Sequence, residues 1–511
     1  MSNIHFVMTI YSHHFSLTKL SPVGRMLCMK FANRYVQYGL VPGGGQMHKK
    51  AVKVFGAANA ERTEFRFHIN QLSEFRKMQF QMGYDNPALF KTIEVPVKET
   101  PTIEFKVKDK YQPYDYQLPL IEYLSKKEPK CKLVGLKTGG GKSLVSMKAI
   151  EALKKITCVV VKPAYIDKWS EDLMRTCDLT AEDIMVVQGG KHLMALINLV
   201  KENKLKYKVV LISNRTMQNW LTTYERSAED AIELGYEIHP YQFFEHIGAG
   251  IRLIDEVHQD FHFNFKLDLY TNVEYAMSLS ATLITNDPFL RNMHDIAYPP
   301  KDRCANPDLG NYISSYAVHY RFDKPEKIRT SEYGSTSYSH GAVEKSIMKH
   351  PPTMHAYLNL IEYTLGIGYN HSKKKDKKCI IFAYSVDMCT AIAKHLEGKY
   401  PDYDVRRYVA DDPYENLMQP DVIVSTLGSA GTAVDIPNLT NVILTTAVDS
   451  IQSNIQSLGR LRKLDNGETP TEFHYFVCED IPKHLEYHER KKQMLSQRAK
   501  TFIDVYSGHV V

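Results

Sequence analysis

Eight cysteines and two tryptophans are few for a chain of 511 residues. The cysteines (Cys28, Cys131, Cys158, Cys177, Cys304, Cys379, Cys389 and Cys478) are scattered. None forms a CxxC pair, and even the nearest two, Cys379 and Cys389, stand too far apart for a zinc knuckle. A disulfide scaffold is therefore excluded, and reduced thiols in a cytoplasmic setting are expected. Long apolar runs are also missing. None approaches the roughly 18–20 residues of a membrane span, so no membrane partner is expected. The opening residues, MSNIHFVMTIYSHH, lack the basic start, long apolar stretch and small-residue cleavage site of a secretory signal. Repeats at solenoid periods are absent.

Acid is absent from one region only. The first 60 residues hold seven of the 64 Lys and Arg and none of the 58 Asp and Glu. These cations are Lys19, Arg25, Lys30, Arg34, Lys49, Lys50 and Lys53, so the +6 net charge of the chain is concentrated there. Tyr11, Phe15, Phe31, Tyr35 and Tyr38 are interleaved with them. Cations mixed with aromatics suit a surface that follows a phosphate backbone.

The rest is an ordinary globular composition, 43% hydrophobic and 24% charged, and the length suits about three domains. Residues 1–108 carry short alternating runs (Phe65–His68, Thr92–Val97, Thr102–Lys108) and a loop at Gly43-Gly44-Gly45, which predict a small α+β accessory domain. From 109 the chain repeats strand, loop and helix, which predicts a parallel sheet with covering helices over 109–300. Pro299 to Thr330 reads as an irregular connection, and 301–344 as a linker. The α/β rhythm restarts at Cys379–Ala383 and predicts a second such domain over 345–485, followed by a helical tail, 486–511.

The stretch 131–150, CKLVGLKTGGGKSLVSMKAI, carries the first chemical signal. An apolar run feeds Thr138, Gly139, Gly140, Gly141, Lys142 and Ser143, and a helical pattern follows. Glycines leave backbone N–H groups free to line a phosphate, and the helix adds the positive end of its dipole. Lys142 would reach the outer phosphates and Ser143 would offer a hydroxyl to Mg²⁺. A domain's length downstream, Asp255 and Glu256 follow the apolar run Ile251–Ile254, as at the end of a buried parallel strand. Asp255 would hold Mg²⁺ and Glu256 would orient a water. Together they predict an enzyme that hydrolyses a nucleoside triphosphate.

A third segment, QSLGRLRK (456–463), places Gln456 and Arg460 four residues apart. With Gln117, Lys162-Pro163, DEVH (255–258), SAT (280–282) and Thr426 to Asp435, it occurs in the order of the superfamily-two helicases and translocases, which the chain resembles over 109–485. The resemblance implies two tandem RecA-like domains, with ATP and Mg²⁺ as cofactors. It further implies that Gln117 reads adenine, and that His258, Ser280 and Thr282 couple the nucleotide to strand movement. Lys162, Ser213, Asn214, Ser385 and Thr426 would contact the phosphodiester backbone. Gln456 and Arg460 would sense the γ-phosphate, and Asp435 would complete the nucleotide contacts. This chain departs from the family pattern in having Ala433 before Val434-Asp435. It also has Lys463 where a second arginine is usual, with Arg462 one place early, so that either of the two could take that role.

DEVH argues against the DEAD-box RNA branch. The basic N-terminal segment and the run STLGSAGTAVDIPNLTNVIL (425–444) look like the bacteriophage UvsW-type helicases, which remodel branched DNA. The implied function is an ATP-dependent helicase or translocase acting on duplex, branched or single-stranded DNA in recombination, repair or replication, in the cytoplasm (the host's, for a viral protein). The alternatives are a duplex translocase that does not separate strands, or an RNA helicase.

Overall fold

A computed structural model describes residues 4–43, 46–136, 140–202, 206–281, 287–305, 312–334, 336–370, 376–409, 412–430, 436–449, 461, 470–496 and 499–511. The chain divides into two compact units, Met1–Leu136 with Gly141–Asn306, and a second built on Pro307–Val511.

The first unit begins with β1 (Phe6–Ile10), β2 (His14–Thr18), β3 (Val36–Gly43), β4 (Gln46–Val54), β5 (Ala57–Ala58), β6 (Phe65–His68) and β7 (Phe90–Glu94). Five of these form a mixed sheet in the order β5-β6-β2-β1-β7, while β3 and β4 pair antiparallel as a separate two-stranded ribbon. Thr102–Lys108, expected as a strand, makes only single bridges at Thr102 and Val107. Then come β8 (Cys131–Gly135), β9 (Thr157–Val161), β10 (Ile184–Val187), β11 (Val209–Ser213), β12 (Ile251–Ile254), β13 (Tyr275–Ser280) and β14 (Arg303–Ala305). These seven form an all-parallel sheet, β10-β11-β9-β12-β13-β8-β14.

A parallel sheet must be covered on both faces, because both carry apolar side chains. Alternate residues divide as the pleat requires. Val159, Leu211, Leu253 and Met277 face a core that includes Leu124, Ile150, Trp169 and Leu173 of the covering helices. Cys158, Val210, Ile254 and Ala276 face the opposite core. That second core runs without a break into Phe6, Phe15, Phe31, Tyr35, Phe67 and Phe75 of the N-terminal layer. Phe265 joins the two, with ring centroids 5.3 Å from Phe55 and 6.0 Å from Tyr35.

Polar contacts seal the seam. The Ser12 N–H donates to Asn272 Oδ1 (3.0 Å), and His13 Nε2 meets Lys130 O (3.1 Å). Asp268 accepts a charge contact from Arg252 at 2.5 Å and lies 3.4 Å from His68. The accessory domain expected over 1–108 thus has its own sheet but not its own core. Of the five aromatics read as a nucleic-acid surface, Phe15, Phe31 and Tyr35 are wholly buried in this seam and its layer. Only Tyr38 is substantially exposed, while all seven cations face solvent.

The second unit holds β15 (Ile313–Arg321), β16 (Lys378–Ala383), β17 (Val405–Tyr408), β18 (Val422–Thr426), β19 (Leu439–Leu444), β20 (Thr471–Cys478) and β21 (Thr501–Val510). They too form an all-parallel sheet, β17-β18-β16-β19-β20-β15-β21. Two expectations are corrected here. The stretch 301–344 is not a linker, since it contributes β14 to one sheet and β15 to the other. The tail is helical only through Ser496, after which β21 pairs with β15 and the last residue donates its N–H to Arg321 O (2.8 Å). Both strands mix Ser, His and Tyr among their apolar residues, so neither shows the continuous run of a strand buried on both faces.

The seam makes stability pH-dependent. His14 Nδ1 faces Thr271 O (3.3 Å), and Arg66 donates to its Nε2 (3.0 Å), an arrangement that suits only the neutral ring. Burial, then the Arg66 charge, hold His14 well below the usual histidine range. Burial, then Arg252, do the same to His13. Unfolded histidines take up protons near pH 6.5, whereas these cannot until far lower pH. Their stabilisation is therefore full above about pH 6.5 and is lost as pH falls below it, by up to about 1.4 kcal/mol per histidine per pH unit. Urea unfolding at pH 7.5 and 5.5 should show the loss, and His13→Gln or His14→Gln should reduce the difference.

Candidate active site

Three parallel strands, β12, β13 and β8, lie side by side and end at one level. The C-terminal ends of such strands collect functional groups because the chain must leave the sheet there. After β8 comes the glycine run and the helix Lys142–Leu153. Gly141 precedes that helix in the left-handed region (φ +80), and a Cβ on it would lie 2.3 Å from Gln117 Nε2. Only glycine fits this turn.

After β12 the chain turns sharply. Glu256 itself adopts φ +50, a left-handed conformation that costs a residue with a side chain free energy. Its N–H donates to Asp255 Oδ1 (2.9 Å), and its side chain is drawn back over the strand ends. There Glu256 Oε1 lies 2.8 Å from Lys142 Nζ, and Oε2 accepts from the Ala281 N–H (3.3 Å). His258 Nδ1 sits 2.8 Å from Ser280 Oγ and 3.3 Å from Glu256 Oε2. The expected residues Lys142, Asp255, Glu256, His258 and Ser280 are thus brought together. Trp169, not expected to take part, donates from Nε1 to Asp255 Oδ2 (3.0 Å). Its place on a strongly amphipathic helix directly after β9 was the available signal.

The site is little exposed and rich in acid, with only 10% and 13% of the Lys142 and Glu256 side chains open to solvent. Burial, then the Glu256 charge, raise the Asp255 carboxyl to about 6, against the pull of Lys142 and Trp169. Burial works the same way on Glu256, but Lys142 and His258 outweigh it and hold the carboxyl low. Burial brings His258 down to about 4, so its ring is neutral near pH 7. Its Nε2 is buried without a hydrogen-bond partner among the described residues. Two carboxylates against one ammonium form a site that a further cation would relieve. Asp255 and the Ser143 hydroxyl, at the start of the adjacent helix, are a donor set that fits Mg²⁺.

Gln117 is 1% exposed and accepts the Tyr114 N–H through Oε1 (2.9 Å). Tyr114 stacks on Tyr116 (5.7 Å) and is itself largely exposed, an open ring beside the buried amide. Of the expected backbone contacts, Lys162 lies 3.5 Å from Asp260 and Asn214 donates to the same carboxylate (2.9 Å). Ser213 is buried at the end of β11. In the second unit Ser385 donates to buried Glu344 (2.7 Å) and caps the helix Val386–Lys399, and Thr426 Oγ1 lies 2.9 Å from Ser429 Oγ. They end adjacent strands β16 and β18, but both hydroxyls already serve local structure. Thr138, Gly139, Thr282, Asp435, Gln456, Arg460, Arg462 and Lys463 lie outside the described residues.

No family model matches the chain, and no curated protein matches it. Solved structures do. The chain is similar to T4 UvsW at 14% identity, over 98% of this chain and 99% of that one, with a TM-score of 0.33. It is similar to the Hef helicase domain of Pyrococcus furiosus at 15% identity, over 76% and 100%, with a TM-score of 0.45. It is similar to Mss116p, solved with ssRNA and AMP-PNP, at 16% identity, over 77% and 74%, with a TM-score of 0.48. At 14–16% identity these are likenesses of fold.

Proposed function

We propose that this chain is an ATP-hydrolysing nucleic-acid motor, a helicase or translocase that remodels duplex or branched DNA. The observation that carries the reading is the 2.8 Å meeting of Lys142, from the glycine-run helix, with Glu256, from the end of β12, beside Asp255. Lys142 would pair with phosphate oxygens in place of Glu256. Glu256, so released, would orient the attacking water and take its proton. Ser143 and Asp255 would hold Mg²⁺, which neutralises phosphate charge when bound. His258 and Ser280, joined to Glu256, would report the state of the site along the strand ends. Gln456, Arg460, Arg462 and Asp435 belong to this machinery by motif.

The nucleic-acid half of the proposal rests on charge. Lys49, Lys50 and Lys53 are exposed on β4 of the ribbon, where a two-stranded element has the width to enter a duplex groove. Tyr38 of β3 lies beneath Lys49, 5.0 Å from its Nζ.

Lys142→Ala and Glu256→Gln should each lower ATP turnover by about 10²-fold or more while the protein stays folded. Steady-state hydrolysis with no nucleic acid, single-stranded, duplex and branched DNA, and RNA checks both halves. Normal turnover in either variant removes the nucleotide site, and stimulation by RNA alone removes the DNA assignment.

Trp169 offers a direct readout. Mg²⁺ at Asp255 would compete for the carboxylate oxygen that its indole now contacts. Trp220, the other tryptophan, is fully buried against Tyr236 and Phe243. Adding Mg²⁺ and a non-hydrolysable ATP analogue should change the emission, and Trp169→Phe should abolish the change.

Replacing Lys49, Lys50 and Lys53 together by Gln should weaken DNA binding. The slope of log K against log salt should flatten by up to about 2.7, at 0.9 per phosphate contact. ATP hydrolysis without DNA should be untouched. An unchanged slope in a salt titration would make the ribbon an ordinary solvated surface.

A further inference from the structure

Three side chains distant in sequence meet in the second unit. His319 stands on β15, His488 on the helix Pro482–Ser496 and Asp504 on β21. Nε2 of His319 and Nε2 of His488 approach the same oxygen, Asp504 Oδ1, at 3.2 and 3.3 Å. All three ligand atoms lie within 4.8 Å of one another. The histidine side chains are 7% exposed and that of Asp504 24%. A tetrahedral zinc ion with bonds near 2.0–2.1 Å separates its ligand atoms by about 3.4 Å. Both nitrogen-to-oxygen distances match that edge.

The outer partners favour an ion at the centre. Without one, a single carboxylate oxygen must receive an N–H from each Nε2, which leaves each neutral ring with a bare lone pair at Nδ1. That suits His488, whose Nδ1 lies 2.9 Å from the Tyr475 hydroxyl. It does not suit His319, whose Nδ1 faces the Glu479 carboxylate at 3.7 Å, acceptor towards acceptor. With a cation bound, both Nε2 atoms turn lone pairs to it and both Nδ1 atoms carry protons. His319 then has a carboxylate behind it and His488 a hydroxyl oxygen, the arrangement that orients metal-binding histidines. The remaining oxygen, Asp504 Oδ2, is already held by Lys492 Nζ at 3.1 Å, which leaves Oδ1 as the ligand.

We propose that His319, His488 and Asp504 bind one divalent transition-metal ion, zinc being the best match, with water in the fourth position. Two imidazoles and one carboxylate suit zinc better than magnesium or calcium, which prefer oxygen alone. The ion ties the last helix and the last strand to β15, and so fastens β21, the edge of the sheet. This site is independent of the nucleotide reading, whose Mg²⁺ ligands lie in the first unit.

The test uses the full-length chain, stripped by a chelator, freed of it, and titrated separately with zinc chloride and cobalt(II) chloride. The expected results are one equivalent of zinc per chain, a higher denaturation temperature with zinc, and the intense visible bands of four-coordinate cobalt without thiolate absorption. His319→Gln, His488→Gln and Asp504→Asn should each remove that equivalent. Tyr475→Phe should keep the fold but weaken binding about 10–100-fold, which a purely packing role would not do. A wild-type chain that takes up no saturable equivalent overturns the proposal. An equivalent retained in His319→Gln and His488→Gln overturns it too, by placing the ion elsewhere. Should the ligand variants fail to fold, the wild-type stoichiometry and cobalt spectrum decide.

Discussion

Lys142 and Glu256 can meet at 2.8 Å only because β8 and β12 are held in register with β13 between them. The pair is nearly buried, with 10% and 13% of the two side chains exposed. A charge pair in such a place stabilises little in net terms, since desolvation offsets most of its attraction. Its worth lies in what it keeps in position. Glu256 accepts the strain of φ +50 to turn back over the strand ends, and the Ala281 N–H and His258 hold it there. Removing the cation would leave two adjacent, poorly solvated carboxylates, of which Asp255 is already pushed up to about 6.

The same strand, β12, carries the second buried charge system. Arg252 is wholly buried between the residues of β12 that face the other core, and its guanidinium reaches Asp268. Burial works against the ionised form of Asp268, but Arg252 and then His68 more than compensate and hold the carboxyl well below its usual range. His68 comes from β6, so β12, a strand of only four residues, supports the Glu256 turn at its end and the N-terminal layer on its face. A helix alone could not close that face. The bulk comes from Phe55 and Tyr35, both packed edge-to-face with Phe265, and from Phe67, stacked on Tyr35.

How far the sequence discloses this depends on the kind of signal. Buried parallel strands are runs of β-branched residues, and Cys158–Val161, Val209–Ile212, Cys379–Ala383 and Asn441–Leu444 all lie within strands. Motif chemistry is local, so Lys142, Asp255, Glu256, His258 and Ser280 could be read and placed on strand ends. Composition, by contrast, has no direction. Phe15, Phe31 and Tyr35 beside seven cations suggest a binding surface until their side chains are seen to point inward. Nor does motif reading find Asp260, which gathers Lys162 and Asn214, or Trp169 on Asp255. β15 and β21 escape because their polar residues do work inside the fold, with His319 turned towards Asp504 and Ser507 bonded to His319 O.

The distribution of charge in the first 60 residues then has a structural cause. The apolar side of the N-terminal layer is consumed by the seam, and its buried polar groups include His13 and His14, held well below the usual histidine range, and the paired Arg66, which Glu64 and the rings of Tyr241 and Tyr270 enclose. Unpaired positive charge has no place in such a core, where a lone ion costs several kcal/mol. It is left for the outer surface and the ribbon, whose pairing needs no core of its own. A nucleic acid bound there, as proposed, would be held by a layer that shares one continuous core with β12. The basic layer is therefore built into the first unit, and whatever it grips shares the frame of the proposed hydrolytic site.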